Sequence, residues 1–272
     1  TLKNCFVGVF KHYKQNTYKT FVIHKLRDDT EEFIKFLKQN IKNKEYHIAF
    51  NGIGFDSQVT HSILKNYKDW KGMDPDEKTQ EIYAFAQNAI QKSNNREFQE
   101  FPEWNMKIKQ IDVFKLNHWD NMAKRSSLKW IEYTMDWDNI LDMPIHHESE
   151  ITTQEELDII IGYCINDVDA THEIYERSKQ LIALRMDLSE QYNINLMNAS
   201  EPRISKELFS YYLSKELNID KRTLKAMRTF RKVIKLDKII LPYVKFKTPE
   251  FNTLLERFQS VELDPQNIKG SF

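Results

Sequence analysis

Tyr46-His47-Ile48-Ala49-Phe50-Asn51-Gly52-Ile53-Gly54-Phe55-Asp56 is the stretch on which the fold turns. Its first five residues read as a short buried strand, which Asn51-Gly52 ends. A helix is predicted from about Asp56 to Tyr67, with Val59, Ile63 and Leu64 facing inward. Asp56 therefore stands at a strand-to-helix junction, on the edge of the sheet where α/β proteins place their sites. Helix capping is the competing use of an Asp at such a junction.

Upstream, Cys5–Phe10 and Tyr18–Ile23 are β-branched and aromatic, with the polar Lys11–Thr17 segment between them, a hairpin signature. Asp29 precedes a helix that opens with Glu31 and Glu32 and carries Phe33, Ile34, Leu37 and Ile41 on one face. Downstream, Pro75–Lys92 reads as a helix and Lys109–Phe114 as a strand. Ser127 caps a helix through Tyr133, and Leu141–Ser149 is a loop. Thr153-x-x-Glu156 is a capping box before the apolar periodicity of Leu157, Ile160, Ile161, Cys164 and Val168. That helix extends, with room for a break, to about Tyr192. The order implies an α/β domain with a mixed sheet and a right-handed parallel crossover. From about Asn198 the texture changes to short helices and a basic stretch, which places a boundary near 195: residues 1–195 as one domain, 196–272 as a mainly helical extension.

The 272 residues, 40% hydrophobic and 29% charged, suffice for one good core and part of a second. No apolar run approaches the ~18 residues of a membrane span, and no membrane partner is expected. The two cysteines, Cys5 and Cys164, lack CxxC spacing, which argues against a zinc ribbon or disulfide framework and suits a reducing, cytoplasmic setting. Lys+Arg and Asp+Glu both number 40, so nucleic-acid binding would depend on local patches.

A second signal, Tyr163-Cys164-Ile165-Asn166-Asp167, lies inside the long helix, where i, i+4 spacing sets Tyr163 and Asp167 on one face. The apolar neighbours mark a buried helix, where an Asp needs a partner or a metal. Together the two signals resemble the second and third motifs of the DEDDy-type 3′–5′ exonucleases, the proofreading domains of DNA polymerases. Asn51, Phe55 and Asp56 match Asn-x(2–3)-Phe/Tyr-Asp; Tyr163 and Asp167 match Tyr-x-x-x-Asp. Ile111-Asp112 and Ser127-Leu128-Lys129 look like the strand and helix that these domains carry between the motifs. The resemblance covers roughly residues 1–190 and favours a phage-type, family B-like polymerase, with family A open.

The resemblance implies a ribonuclease-H-like mixed sheet flanked by helices. It also implies two-metal hydrolysis of the terminal phosphodiester with Mg²⁺ or Mn²⁺, which take oxygen ligands. Asp56 and Asp167 would hold the metals and Tyr163 would orient the nucleophile. Asn51 and Phe55 would contact the terminal nucleotides of a single-stranded 3′ end or primer–template. The family's first motif, Asp-x-Glu, has no match here and is expected just before Thr1, together with the central strand of the sheet. Without that strand, the hairpin and the parallel strands would form half-sheets with unpaired edges. Glu31 and Glu32 belong to a helix start instead, and the chain alone is expected to be inactive or nearly so.

Lys221, Lys225, Arg228, Lys232 and Lys235 are predicted to share one helical face, as a phosphate-contacting element leading into the polymerase module of the same polypeptide. A solvated helix face is the plainer reading of such a run. His146-His147-Glu148 is a solvated polar loop in preference to a metal trio, and Asp169 is structural. A stand-alone DEDD ribonuclease and a catalytically silent scaffold that grips DNA are the competing functions.

Overall fold

In the computed structural model, β1 (Phe6–His12) folds back on β2 (Thr17–His24), antiparallel, with Phe6 opposite Ile23 and His12 opposite Thr17. Residues 1–95, 97–120, 126–146, 148–227 and 231–265 are described. A two-residue strand β3 (Arg27–Asp28) extends the hairpin beyond β2. The helix α1 (Thr30–Asn43) starts where expected, yet Asp29 does not cap it. Its carboxylate accepts from Val22 N instead (2.9 Å), and Asp28 accepts from Thr30 N (3.1 Å).

The strand β4 (Tyr46–Ala49) pairs in parallel with β5 (Lys109–Asp112), in register from Tyr46–Lys109 to Ala49–Asp112. Between them run α2 (Asp56–Asn66) and α3 (Pro75–Asn95), which supply the crossover. Phe6, Phe21, Phe33, Leu37, Ile63 and Ile82 are buried together where the hairpin meets α1, α2 and α3. Each such side chain contributes about 1.5–3 kcal/mol through burial.

The expected strand Lys109–Phe114 stops at Asp112, and Val113–Leu116 turns into a short helix, α4. The cause is Asp112 itself: its carboxylate accepts from Phe114 N and Lys115 N and so caps α4. α5 (Leu128–Thr134) is capped by Ser127, as its sequence predicts. α6 (Gln154–Tyr192) is a single 39-residue helix without a break, opened by the Thr153/Glu156 capping box.

α6 holds the site. Its first turns, Leu157 and Ile160 with Cys164, pack on the hairpin residues Val22, Cys5 and Val7. Ala170 and Ile174 pack on Val113, Ile131 and Ile48, and Ile182 packs on Ile111. Tyr163 and Asp167 thus lie where the helix passes from one sheet to the other. Among the described residues these are separate sheets, a three-stranded β1-β2-β3 and a two-stranded β4-β5, with β1 at an edge. The Phe10 and His47 rings meet across them, centroids 5.2 Å apart. Asp169 ties α6 to the hairpin, accepting from Lys11 Nζ (2.7 Å) and Tyr18 Oη (2.5 Å).

Thr1–Leu208 and Phe209–Phe272 form two compact units. α7 (Glu201–Glu216) spans the division. In the second unit, α8 (Lys221–Ala226) precedes a short ladder of β6 (Ile234–Lys235) with β7 (Glu262–Leu263), and α9 (Pro249–Gln259) packs on the turn at Leu236–Lys238.

The basic run is therefore not one helix. Lys221 and Lys225 lie on α8, Lys232 follows it in irregular chain, and Lys235 is in β6. Arg228 falls outside the described residues. Like charges at i, i+4, here Lys221/Lys225 and Arg228/Lys232, oppose a helix, and the β-branched Val233 and Ile234 favour extended chain. Lys235 also pairs with Glu262 across the ladder, which removes it from any free basic face.

Candidate active site

The Asn51–Phe55 loop is built backward from Asp112, which is fully buried (0% exposed). Its carboxylate accepts from Asn51 N (3.0 Å) and Ile53 N (3.1 Å) while it caps α4. Burial pushes this carboxyl up, and the N–H groups that point at it pull it back down. Asn51 adopts a left-handed backbone (φ 60°), a conformation Asn tolerates better than most residues.

Gly52 is required by close approach, and Gly54 lies close against the end of the Asn51 side chain. A Cβ on Gly52 would stand 2.6 Å from that of Ala49, and one on Gly54 2.6 Å from Asn51 Oδ1. Gln58 pins the loop from inside, donating to Ile53 O (2.9 Å) and Phe101 O (2.7 Å). Asn198 supports Asp112 from behind, accepting from its backbone N (2.8 Å) and donating to Gln110 O (2.8 Å).

This scaffold delivers Asp56 as the first residue of α2, not as its cap: the cap position is Phe55, and no side chain makes a capping bond. Asp56 is exposed at the start of α2, although much of the protein lies close around it. Loss of bulk water raises its carboxyl to about 6; a backbone hydrogen bond opposes this, and Asp112 and Asp167 add repulsion.

From α6, Asp167 faces the same region. Burial raises its carboxyl to about 6, opposed by a hydrogen bond from Tyr163 and by the charge of Lys129. Burial, then the charge of Asp167, drives the Tyr163 phenol above its ordinary range. Tyr163 is therefore a proton-holding donor at neutral pH and unsuited to act as a base. Asn51 is half-exposed beside Asp56, and Phe55 packs half-buried against the hairpin core.

The structure thus brings Asn51, Phe55, Asp56, Tyr163 and Asp167 to one neighbourhood. In the second unit, Lys221 and Lys225 share α8, Lys232 lies in irregular chain and Lys235 is in β6. Among the described residues, no three His, Cys, Asp or Glu are arranged to hold a metal ion. His147 is not among those residues, and His146 Nδ1 accepts from Glu148 N (3.3 Å). In donor chemistry Asp56 and Asp167 suit a hard divalent cation, since both are oxygen ligands whose ionised forms a positive charge would favour. In number they supply only part of its shell.

Sequence reasoning gave two acids no part in the site. Asp112 organises the loop, and its position at a strand end before Phe114 and Lys115 was a readable capping signal. Glu132 on α5 is 1% exposed, and neither carboxylate oxygen has a hydrogen-bond partner among the described residues. Burial, then the charge of Asp167, raises its carboxyl.

No helix among the described residues is long and apolar enough to cross a membrane. No protein-family model, curated protein or solved structure matches this chain.

Proposed function

We propose that this chain is the 3′–5′ exonuclease portion of a DNA polymerase, hydrolysing the 3′-terminal phosphodiester of a single strand or primer end. The observation that carries this reading is the approach of Asp56 and Asp167 from separate elements, near enough for the charge of Asp167 to act on Asp56, with Tyr163 hydrogen-bonded to Asp167. A pair of carboxylates both raised to about 6 is an arrangement that selection for stability alone disfavours and that metal-dependent phosphoryl chemistry uses.

On this reading Asp56 and Asp167 hold Mg²⁺ or Mn²⁺, which when bound supplies an activated water and charge stabilisation at the leaving oxygen. Tyr163 stays protonated, fixes the Asp167 carboxylate through its hydroxyl and orients what approaches it. Asn51 and Phe55 flank the terminal nucleotide. The first-motif acids of the resemblance, Asp-x-Glu, have no match within residues 1–272. The ribonuclease-H-like sheet of the resemblance would need a strand between β1 and β4, each of which has an unpaired edge among the described residues. Lys221, Lys225 and Lys232 are exposed, and on this reading phosphates would meet them as separate contacts in place of a single face.

The test is degradation of 5′-labelled single-stranded DNA in Mg²⁺ by the full natural polypeptide that carries these residues. Stepwise shortening from the 3′ end, abolished by Asp167→Ala and Asp56→Ala and weakened by Tyr163→Phe, is expected. Binding without shortening would instead favour the silent scaffold, and equal or better degradation of RNA the ribonuclease.

A further inference from the structure

The end of β5 is completed by a side chain from far along the sequence. Among the described residues β5 pairs with β4 alone. The carboxamide of Asn198 supplies what a further strand would: it accepts from Asp112 N (2.8 Å) and donates to Gln110 O (2.8 Å). Its second amide hydrogen goes to Glu103 Oε1 (2.8 Å). Both donors and the oxygen are thus used, which gives this buried side chain one orientation.

The chain around Asn198 is anchored on its own account. Leu196 and Ala199 are buried with Ile204, near the start of α7. Arg185 on α6, fully buried, donates to Ala199 O (3.2 Å), Leu181 O (3.0 Å) and Leu116 O (3.1 Å). A guanidinium out of water needs such acceptors, and these three tie the turn that carries Asn198 to α6 and α4.

At the other end of the bracket is the Asp56 loop. Asp112, whose backbone Asn198 holds, is the residue whose carboxylate receives Asn51 N (3.0 Å) and Ile53 N (3.1 Å). Gly54 N and Phe55 N in turn donate to Asn51 O (3.0 and 3.1 Å), so the loop from Asn51 to the start of α2 is one hydrogen-bonded piece. A shift of the Asp112 backbone therefore carries its carboxylate, and the loop with it.

We infer that Asn198 is a positioning residue for the candidate site, fixing the end of β5 and, through Asp112, the loop that places Asp56. Its own bonds go to Glu103, Gln110 and Asp112, so it acts through them and not on the reacting atoms. The inference rests on the proposed function for what Asp56 does, while the fixing of the loop is tested without the reaction.

The test is hydrogen exchange read by mass spectrometry on the full natural polypeptide. Asn198→Ala is expected to speed exchange in peptides spanning Asn51 and Ile53 about tenfold or more, comparable to the loss of a buried hydrogen bond, with the β1–β2 hairpin unchanged. In the same variant, kcat/KM for shortening single-stranded DNA is expected to fall about ten- to a hundredfold, as for a misplaced reacting group. Asn198→Asp combined with Glu103→Gln conserves charge, keeps an oxygen for Asp112 N and restores the bond to residue 103 with its direction reversed. This double variant is expected to return both exchange and rate to within about threefold of wild type. Asn198→Asp alone, a milder change than Ala, carries the same comparison if Asn198→Ala does not fold. Exchange that rises equally in the hairpin, or fails to rise at the loop, would overturn the inference. So would a selectively opened loop with an unchanged rate of shortening. Selective opening where wild type itself shortens no DNA keeps the inference about the loop and removes the exonuclease reading.

Discussion

Asp167→Asn is expected to stabilise the protein while it abolishes the proposed hydrolysis. Asp167 has its carboxyl raised from 3.8 to about 6, chiefly by burial. At about 1.4 kcal/mol per tenfold change in proton affinity, holding it ionised at neutral pH costs the fold about 3 kcal/mol. Asparagine removes the charge and still offers Tyr163 an oxygen. The hydrogen bond to a neutral acceptor is weaker than to a carboxylate by about 1 kcal/mol, and solvent reaching this half-buried group trims the electrostatic part. A net gain of ~1–2 kcal/mol remains, which raises the melting temperature by roughly 2–8 °C in a unit of this size.

The pH dependence gives the sharper test. Because the folded carboxyl lies above its unfolded value, wild type loses stability as pH rises from about 4 to about 6. The advantage of the Asn variant should therefore be absent near pH 4 and fully open by pH 7. Thermal melts in EDTA across that range measure it. A variant that melts below wild type at pH 7, or keeps the same advantage at pH 4, would refute the reasoning.

Asp112→Ala leaves the N–H groups of Asn51, Ile53, Phe114 and Lys115 without their buried acceptor; the expected loss is ~2–4 kcal/mol, read as a lower urea midpoint. Gly52→Ala forces a Cβ to 2.6 Å from Ala49 Cβ and should destabilise by about 1–3 kcal/mol, with activity falling as the loop shifts Asp56. The His47 ring is held down to about 4 by burial first and by His61. The unfolded ring takes its proton first, so stability should fall as pH drops from about 6.5 toward about 4, and His47→Gln should flatten that limb of a stability–pH curve.

Local chemistry was legible in the sequence. The Thr153/Glu156 capping box, the Ser127 cap and the β1–β2 hairpin depend on residues a few positions apart, and they stand where the pattern puts them. Two misreadings share one cause, that patterns beyond a few residues are decided by distant partners or by accumulated charge. Val113 and Phe114 look like strand, but Asp112 behind them turns the chain into α4. The Lys221–Lys235 spacing fits a helix, but its like charges and its β-branched end favour a short helix and a separate strand. The partition of the strands into two sheets was readable only as a consequence of family resemblance, since period-2 alternation carries no information about which edges meet. Of the candidate site, Asp56, Tyr163 and Asp167 could be picked out because their spacing is local to each motif. Glu132 could not: position 132 is a helix residue like any other until tertiary packing closes over it.

The most direct measurement of the central claim is the product released from DNA labelled at its 3′ end, using the full natural polypeptide in Mg²⁺ beside Asp56→Ala and Asp167→Ala variants. The account predicts labelled nucleoside 5′-monophosphate from wild type as the first product and none from either variant. Label that stays in the strand, leaves as an oligonucleotide, or leaves equally with both carboxylates removed would contradict it.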